Sequence, residues 1–155
     1  MKLRPHHILD IVRSHGNGVE FTPHPYGHAN HTVAKALLAD VETEVELVCG
    51  ADDICVPCVH LGPDGLCDDV LGQLDRPVSK QAYNDGLDAR LFAHFGWRLG
   101  TRMSVRNFLE EAARRLPGLA LRCAHPKEDV QQRLEGLTQG FRKLGIRQEK
   151  PEDKR

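Results

Sequence analysis

Four of the chain's five cysteines fall between Cys49 and Cys67, in the run CGADDICVPCVHLGPDGLC. Cys55 and Cys58 stand at C-x-x-C spacing, which lets two thiolates grip one metal ion or one edge of a cluster. Cys67 follows a Pro-Asp-Gly turn, so the chain can fold back there and present a third sulfur. Cys123 is distant in sequence and could close the site from another side, and Cys49 is a substitute ligand within the run itself. A zinc ribbon uses two close cysteine pairs, and this chain has one. One pair plus singles therefore favours a 4Fe–4S cluster on Cys55, Cys58, Cys67 and Cys123, with zinc as the alternative. Reduced cysteines packed as small apolar residues are the reading without a metal. Two prolines and two glycines between Cys55 and Cys67 speak against it.

Composition sets the compartment and the partners. At 155 residues the chain is expected to form one domain with a core of its own. A net charge of −1 does not supply the positive field that nucleic acid requires, so no such partner is expected. The arginines from Arg102 to Arg122 are interrupted by Glu110 and Glu111 and read as a solvated helix face. No apolar run approaches the roughly 20 residues of a membrane span, and the N-terminus lacks the apolar core of a secretory signal. A cytosolic setting follows as the expectation. Clustered thiols in that setting are metal ligands or redox groups rather than structural disulfides.

The elements that must position these cysteines read as mostly helical. Pro5 suits a first helical turn, Ile8, Ile11 and Val12 share one face, and Gly16 should end that helix. His6 and His7 lie on it about 100° apart, so both cannot easily bind one metal. His24, His28 and His31 have suggestive spacing, but Pro25-Tyr26-Gly27 breaks their register. They read instead as a loop and a polar helix N-terminus leading to Val33, Ala36 and Leu37. Thr43 to Val48 alternates polar and apolar residues as a strand does, and feeds directly into the cysteines. Asp52-Asp53 is placed to cap a short turn ahead of Cys55.

A short helical stretch is expected around Val70 to Leu74. Ser79 should cap a helix carrying Leu87, Leu91, Phe92 and Phe95, and Leu99 to Met103 is extended and suited to pairing with the earlier strand. Ser104 caps an amphipathic helix with Val105, Phe108, Leu109, Ala112 and Ala113 on one side. The last helix carries Val130, Leu134, Leu137, Phe141 and Leu144, a pattern suited to a dimer seam or, more simply, to folding onto its own core. The expected architecture is a single small helical domain over residues 1–146, with a short two-stranded β-ribbon and a charged, disordered tail over residues 147–155.

The runs Arg4-Pro5-His6-His7-Ile8-Leu9 and Asp52-Asp53-Ile54-Cys55, together with the C-x-x-C pair and the later Gly65-Leu66-Cys67, resemble the DUF1284 family of small proteins labelled as iron–sulfur binding. The resemblance covers most of the chain thinly, and it implies cluster ligation by Cys55, Cys58, Cys67 and Cys123. Two departures stand out. The family has a cysteine where this chain has Asp10, and a second cysteine pair where Cys123 stands alone. The ligand count is therefore left open.

Three functions fit these residues. A cluster held wholly by cysteine would serve electron transfer or redox sensing with a redox partner, with His6, His7 and His60 as candidate hydrogen-bond donors to sulfur. A cluster with one iron free of cysteine would act as a Lewis acid on a small-molecule substrate. His6, His7, Asp10 and Asp53 are then the acid–base candidates. A structural zinc site would make the chain an interaction module. No G-x-G-x-x-G, phosphate-binding loop or nucleophile elbow is present.

Overall fold

The computed structural model describes residues 1–149. The chain starts as a strand, β1 (Lys2–Leu3), and turns into helix α1 (Pro5–Gly16) at the proline. A long loop leads to α2 (Asn30–Ala39) and then to strand β2 (Glu44–Leu47). β1 lies parallel to β2, with Lys2 opposite Glu46 and Leu3 opposite Leu47. The pairing continues past the strands: Val48 N–H donates to the Leu3 carbonyl at 3.0 Å and Asp53 N–H to the Lys2 carbonyl at 3.1 Å. The N-terminal segment is thereby zipped against the entry to the cysteine run, and α1 begins beneath that run.

The region expected to hold a short helix around Val70 is a hairpin instead. β3 (Val70–Leu71) pairs antiparallel with β4 (Val78–Ser79). Gly72 and Pro77 leave too few consecutive helix formers for a turn to propagate, whereas two short extended pieces can pair across them. Ser79 then caps α3 (Lys80–Phe95), accepting from Ala82 N–H at 3.2 Å. β5 (Arg102–Ser104) completes the sheet against β2, with Val45 opposite Met103, as the alternation predicted. Ser104 caps α4 (Val105–Arg114), which buries Val105, Phe108, Leu109, Ala112 and Ala113. A short α5 (Gly118–Cys123) follows, and then α6 (Val130–Lys143) capped by Asp129. Helices dominate, and two small sheets, one of three strands and one of two, stand where a single ribbon was expected.

One hydrophobic core runs from Leu3 to Ile146 and takes in Ile8, Leu9, Ile11 and Val12 of α1. Leu137 and Phe141 of α6 are fully buried in it, so the apolar stripe of the last helix is spent inside the chain. α6 lies directly on α1, and the approach is set by glycines. A Cβ at Gly140 would stand 2.3 Å from the Val12 carbonyl oxygen, one at Gly136 2.7 Å from that of Arg13, and one at Gly16 1.7 Å from that of Gly136. Gln148 donates to the Thr138 carbonyl and Glu149 pairs with Arg114, so the first residues of the expected tail lie against the body. Its remainder, residues 150–155, lies outside the described residues. Among those described, no helix is long and apolar enough to cross a membrane.

Candidate metal centre

The run from Cys49 to Cys67 folds as a succession of turns without regular helix. Asp52 starts the series. Its Oδ1 accepts from Ile54 N–H at 3.0 Å and from Cys55 N–H at 3.3 Å, and its carbonyl accepts from Cys55 N–H at 2.9 Å. The capping role read for Asp52-Asp53 thus falls to Asp52. Asp53 turns away and accepts from Lys2 N–H at 2.8 Å. Cys58 N–H closes the next turn on the Cys55 carbonyl at 2.9 Å. The chain then reverses through Pro63-Asp64-Gly65, where Gly65 takes φ 79° and Asp64 Oδ1 accepts from Leu66 N–H. The reversal pairs Leu61 with Cys67. Gln81 of α3 anchors the return by accepting from Cys67 N–H at 2.8 Å.

Cys55, Cys58 and Cys67 line one cavity of about 340 Å³, and none of the three is in a disulfide. Its other walls come from α1 (His7, Asp10, Arg13), from the loop before α2 (His24, Tyr26, His28), from His60 and from the start of α3. His24 and His28, which the sequence assigned to a loop and a helix terminus, stack face to face with ring centroids 4.5 Å apart. Tyr26 stands edge-on to both His24 and His60. The loop, rather than a helical register, brings these rings together. Their spacing was suggestive, but the break at Pro25-Tyr26-Gly27 argued against a shared site, and it is the loop that joins them.

Cys123 and Cys49 are not among the cavity-lining residues. Cys123 is fully buried at the end of α5 and receives Arg133 Nη1 at 3.4 Å. Burial pushes its thiol up, against the pull of the Arg133 charge. The Cys49 sulfur is exposed and lies 3.8 Å from both the carbonyl and the Oδ1 of Asp85.

The two histidines of α1 part company as their 100° offset requires. His6 is 3 % exposed and its Nδ1 meets both Asp88 oxygens at 2.9 Å. Asp88 is itself fully buried and also takes Arg4 Nη1 at 2.9 Å. This is an internal ion-pair cluster that fastens α3 to the start of α1. His7 faces the cavity, and its Nδ1 lies 2.6 Å from Asp52 Oδ2. A nitrogen of His7, a carboxylate oxygen of Asp52 and the Cys55 sulfur lie within 4.8 Å of one another, a grouping that could hold a metal ion.

Charge at this corner is strongly organised. Burial would raise the Asp52 carboxyl, but the charge and hydrogen bond of His7 and the Arg4 N–H outweigh it and hold it down at about 2. Burial opposes protonation of His7, and the Asp52 carboxylate more than reverses this, raising its pKa. Burial first, and then the Asp52 charge, push the Cys55 thiol up to about 12. A thiol in that position keeps its proton until a cation draws out the thiolate.

Asp10 lines the cavity but is committed to the wall behind it. Its Oδ2 pairs with His125 Nε2 at 2.9 Å and its Oδ1 with Arg133 Nη2 at 2.8 Å. Arg133 is fully buried and also donates from Nε to Glu128, which in turn pairs with Arg13. Of the four acid–base candidates, the cavity therefore receives His7 and Asp10, while His6 and Asp53 serve the scaffold. No protein-family model, no curated protein and no solved structure matches this chain.

Proposed function

We propose that the chain binds an iron–sulfur cluster through Cys55, Cys58 and Cys67 and works as a one-electron carrier or redox sensor for a partner. The observation that carries this reading is the convergence of three disulfide-free thiols, from a C-x-x-C turn and a returning hairpin, on one cavity. Three thiolates on a roomy, partly polar cavity fit a cluster. Cys123, sealed behind Arg133, does not fit as the fourth ligand. When bound, the cluster would supply reversible one-electron chemistry. The protein's own contribution is to hold the sulfurs, limit water and place hydrogen-bond donors around them, which tunes the potential.

A second reading is favoured by the walls. Facing the cysteines are His24, Tyr26, His28, His60, Gln81 and Asn84, a more polar surround than an electron carrier needs. With an iron left free of protein ligands, the same cavity would admit a small-molecule substrate to a Lewis acid. Purification without oxygen, followed by iron, sulfide and zinc analysis and an absorption spectrum, tests the shared premise. Iron and sulfide in equal amounts, with broad visible absorption that bleaches on reduction, are expected. One zinc per chain without colour would overturn the cluster and leave a structural zinc module.

A further inference from the structure

Resting on the cluster reading above, we infer that His7 supplies the one non-cysteine ligand of the centre through Nε2, and that Asp52 is the residue that positions it. The argument begins with what Asp52 cannot do. Its carboxylate is 2 % exposed and already accepts at every lone-pair direction. Oδ2 takes the Arg4 N–H at 2.8 Å and His7 Nδ1 at 2.6 Å, and Oδ1 takes the Ile54 and Cys55 N–H groups. No oxygen remains for a metal, so within the His7–Asp52–Cys55 grouping Asp52 is the support and the other two are the ligands.

The same bond fixes the histidine. An ionised carboxylate only accepts, so His7 Nδ1 must carry the proton. That leaves Nε2 as the coordinating nitrogen of a ring that lines the cavity. Carboxylate–histidine–metal relays use this arrangement to hold the ring and strengthen it as a ligand. Here one carboxylate grips both ligands at once, the His7 ring from below and the Cys55 backbone N–H from behind. Neither carboxylate that lines the cavity duplicates this. Asp10 has one oxygen taken by His125 and the other by Arg133, and Asp69 is paired with Lys80 at 2.6 Å.

The test is pulsed EPR on the anaerobically purified, dithionite-reduced full chain, grown with natural or 15N-labelled histidine. A directly bound histidine gives a nitrogen hyperfine coupling of a size that remote rings do not, and the label changes its pattern. The expected result is that coupling in the wild type and in Asp10→Ala, and its loss in His7→Cys, which keeps four ligands and therefore keeps its iron. Asp52→Asn should retain the coupling but release iron to a chelator roughly 10- to 100-fold faster, the usual loss when a ligand's support is removed. A wild-type cluster without histidine coupling would overturn the inference while leaving the cluster standing, and would transfer support to the open-iron reading. Coupling that survives in His7→Cys would overturn it in favour of another histidine. Absence of iron and sulfide from the wild type would overturn the cluster reading itself, and this inference with it.

Discussion

Two regions of the molecule hold cysteine in opposite ways. Around Cys55, Cys58 and Cys67 the backbone is all turns, held by side-chain caps from Asp52, Asp64 and Gln81, and the sulfurs face a cavity. Around Cys123 the sulfur is sealed in the core, donating to the Ala120 carbonyl of its own helix and accepting from Arg133 of α6. The contrast teaches that ligand capacity is a property of the surroundings rather than of the residue. Turns expose sulfur and can adjust to a cofactor, whereas the seam between α1 and α6 packs backbone on backbone and has nothing to yield.

The largest effect expected from breaking this contrast lies in the seam. In Gly140→Val the new side chain meets the Val12 backbone, and stability should fall by about 3 kcal/mol or more in urea unfolding, with loss of any bound metal. Next comes the turn region: Cys58→Ala should lose most of its iron while the metal-free fold keeps its helical circular dichroism. Cys123→Ala should do the reverse, keeping full iron content at a cost of about 1 kcal/mol from the small void left in the core. A Cys123→Ala chain stripped of iron would show the two regions to be one site.

The wall between the regions predicts a pH effect. Burial would raise the Asp10 and Glu128 carboxyls, but His125 and Arg133 outweigh it and hold both below the ordinary carboxylate range. Their folded values lie below their unfolded ones, so the stability they contribute is complete above about pH 4 to 5 and is lost as pH falls through their folded values. In the Cys58→Ala background, where no cluster decays, the melting temperature should drop steeply below about pH 4, and Asp10→Asn should flatten that drop. An unchanged acid limb would mean that the wall contributes no net stability. The smallest effect belongs to Cys49→Ala, on the exposed rim, where neither iron content nor melting temperature should change.

Much of the scaffold was legible in local pattern. The alternation at 44–47, the serine caps of α3 and α4 and the Pro-Asp-Gly reversal before Cys67 all act over a few residues, and each stands where its chemistry required. The Val70 hairpin was not legible, because two-residue strands carry no periodicity and are chosen by their partners. Nor was the fate of Cys123 or Asp88, since nothing in sequence distinguishes a buried arginine's neighbour from an exposed side chain. The His24–His28 stack belongs to the same class. Its rings meet through a loop, and loops leave no spacing rule to read.

The glycine seam also governs how the walls of the cavity come together. Helices that meet through side chains can slip among rotamers and tolerate partial engagement. Where Gly16, Gly136 and Gly140 bring main chain against main chain, α1 has one seat on α6 and no graded approach to it. His7, Asp10 and Arg13 all ride on α1, so they reach the cavity together or not at all. On the cluster reading, cofactor loading would be a gauge of docking: a chain that had acquired a cluster would, by that fact, already have closed its helices.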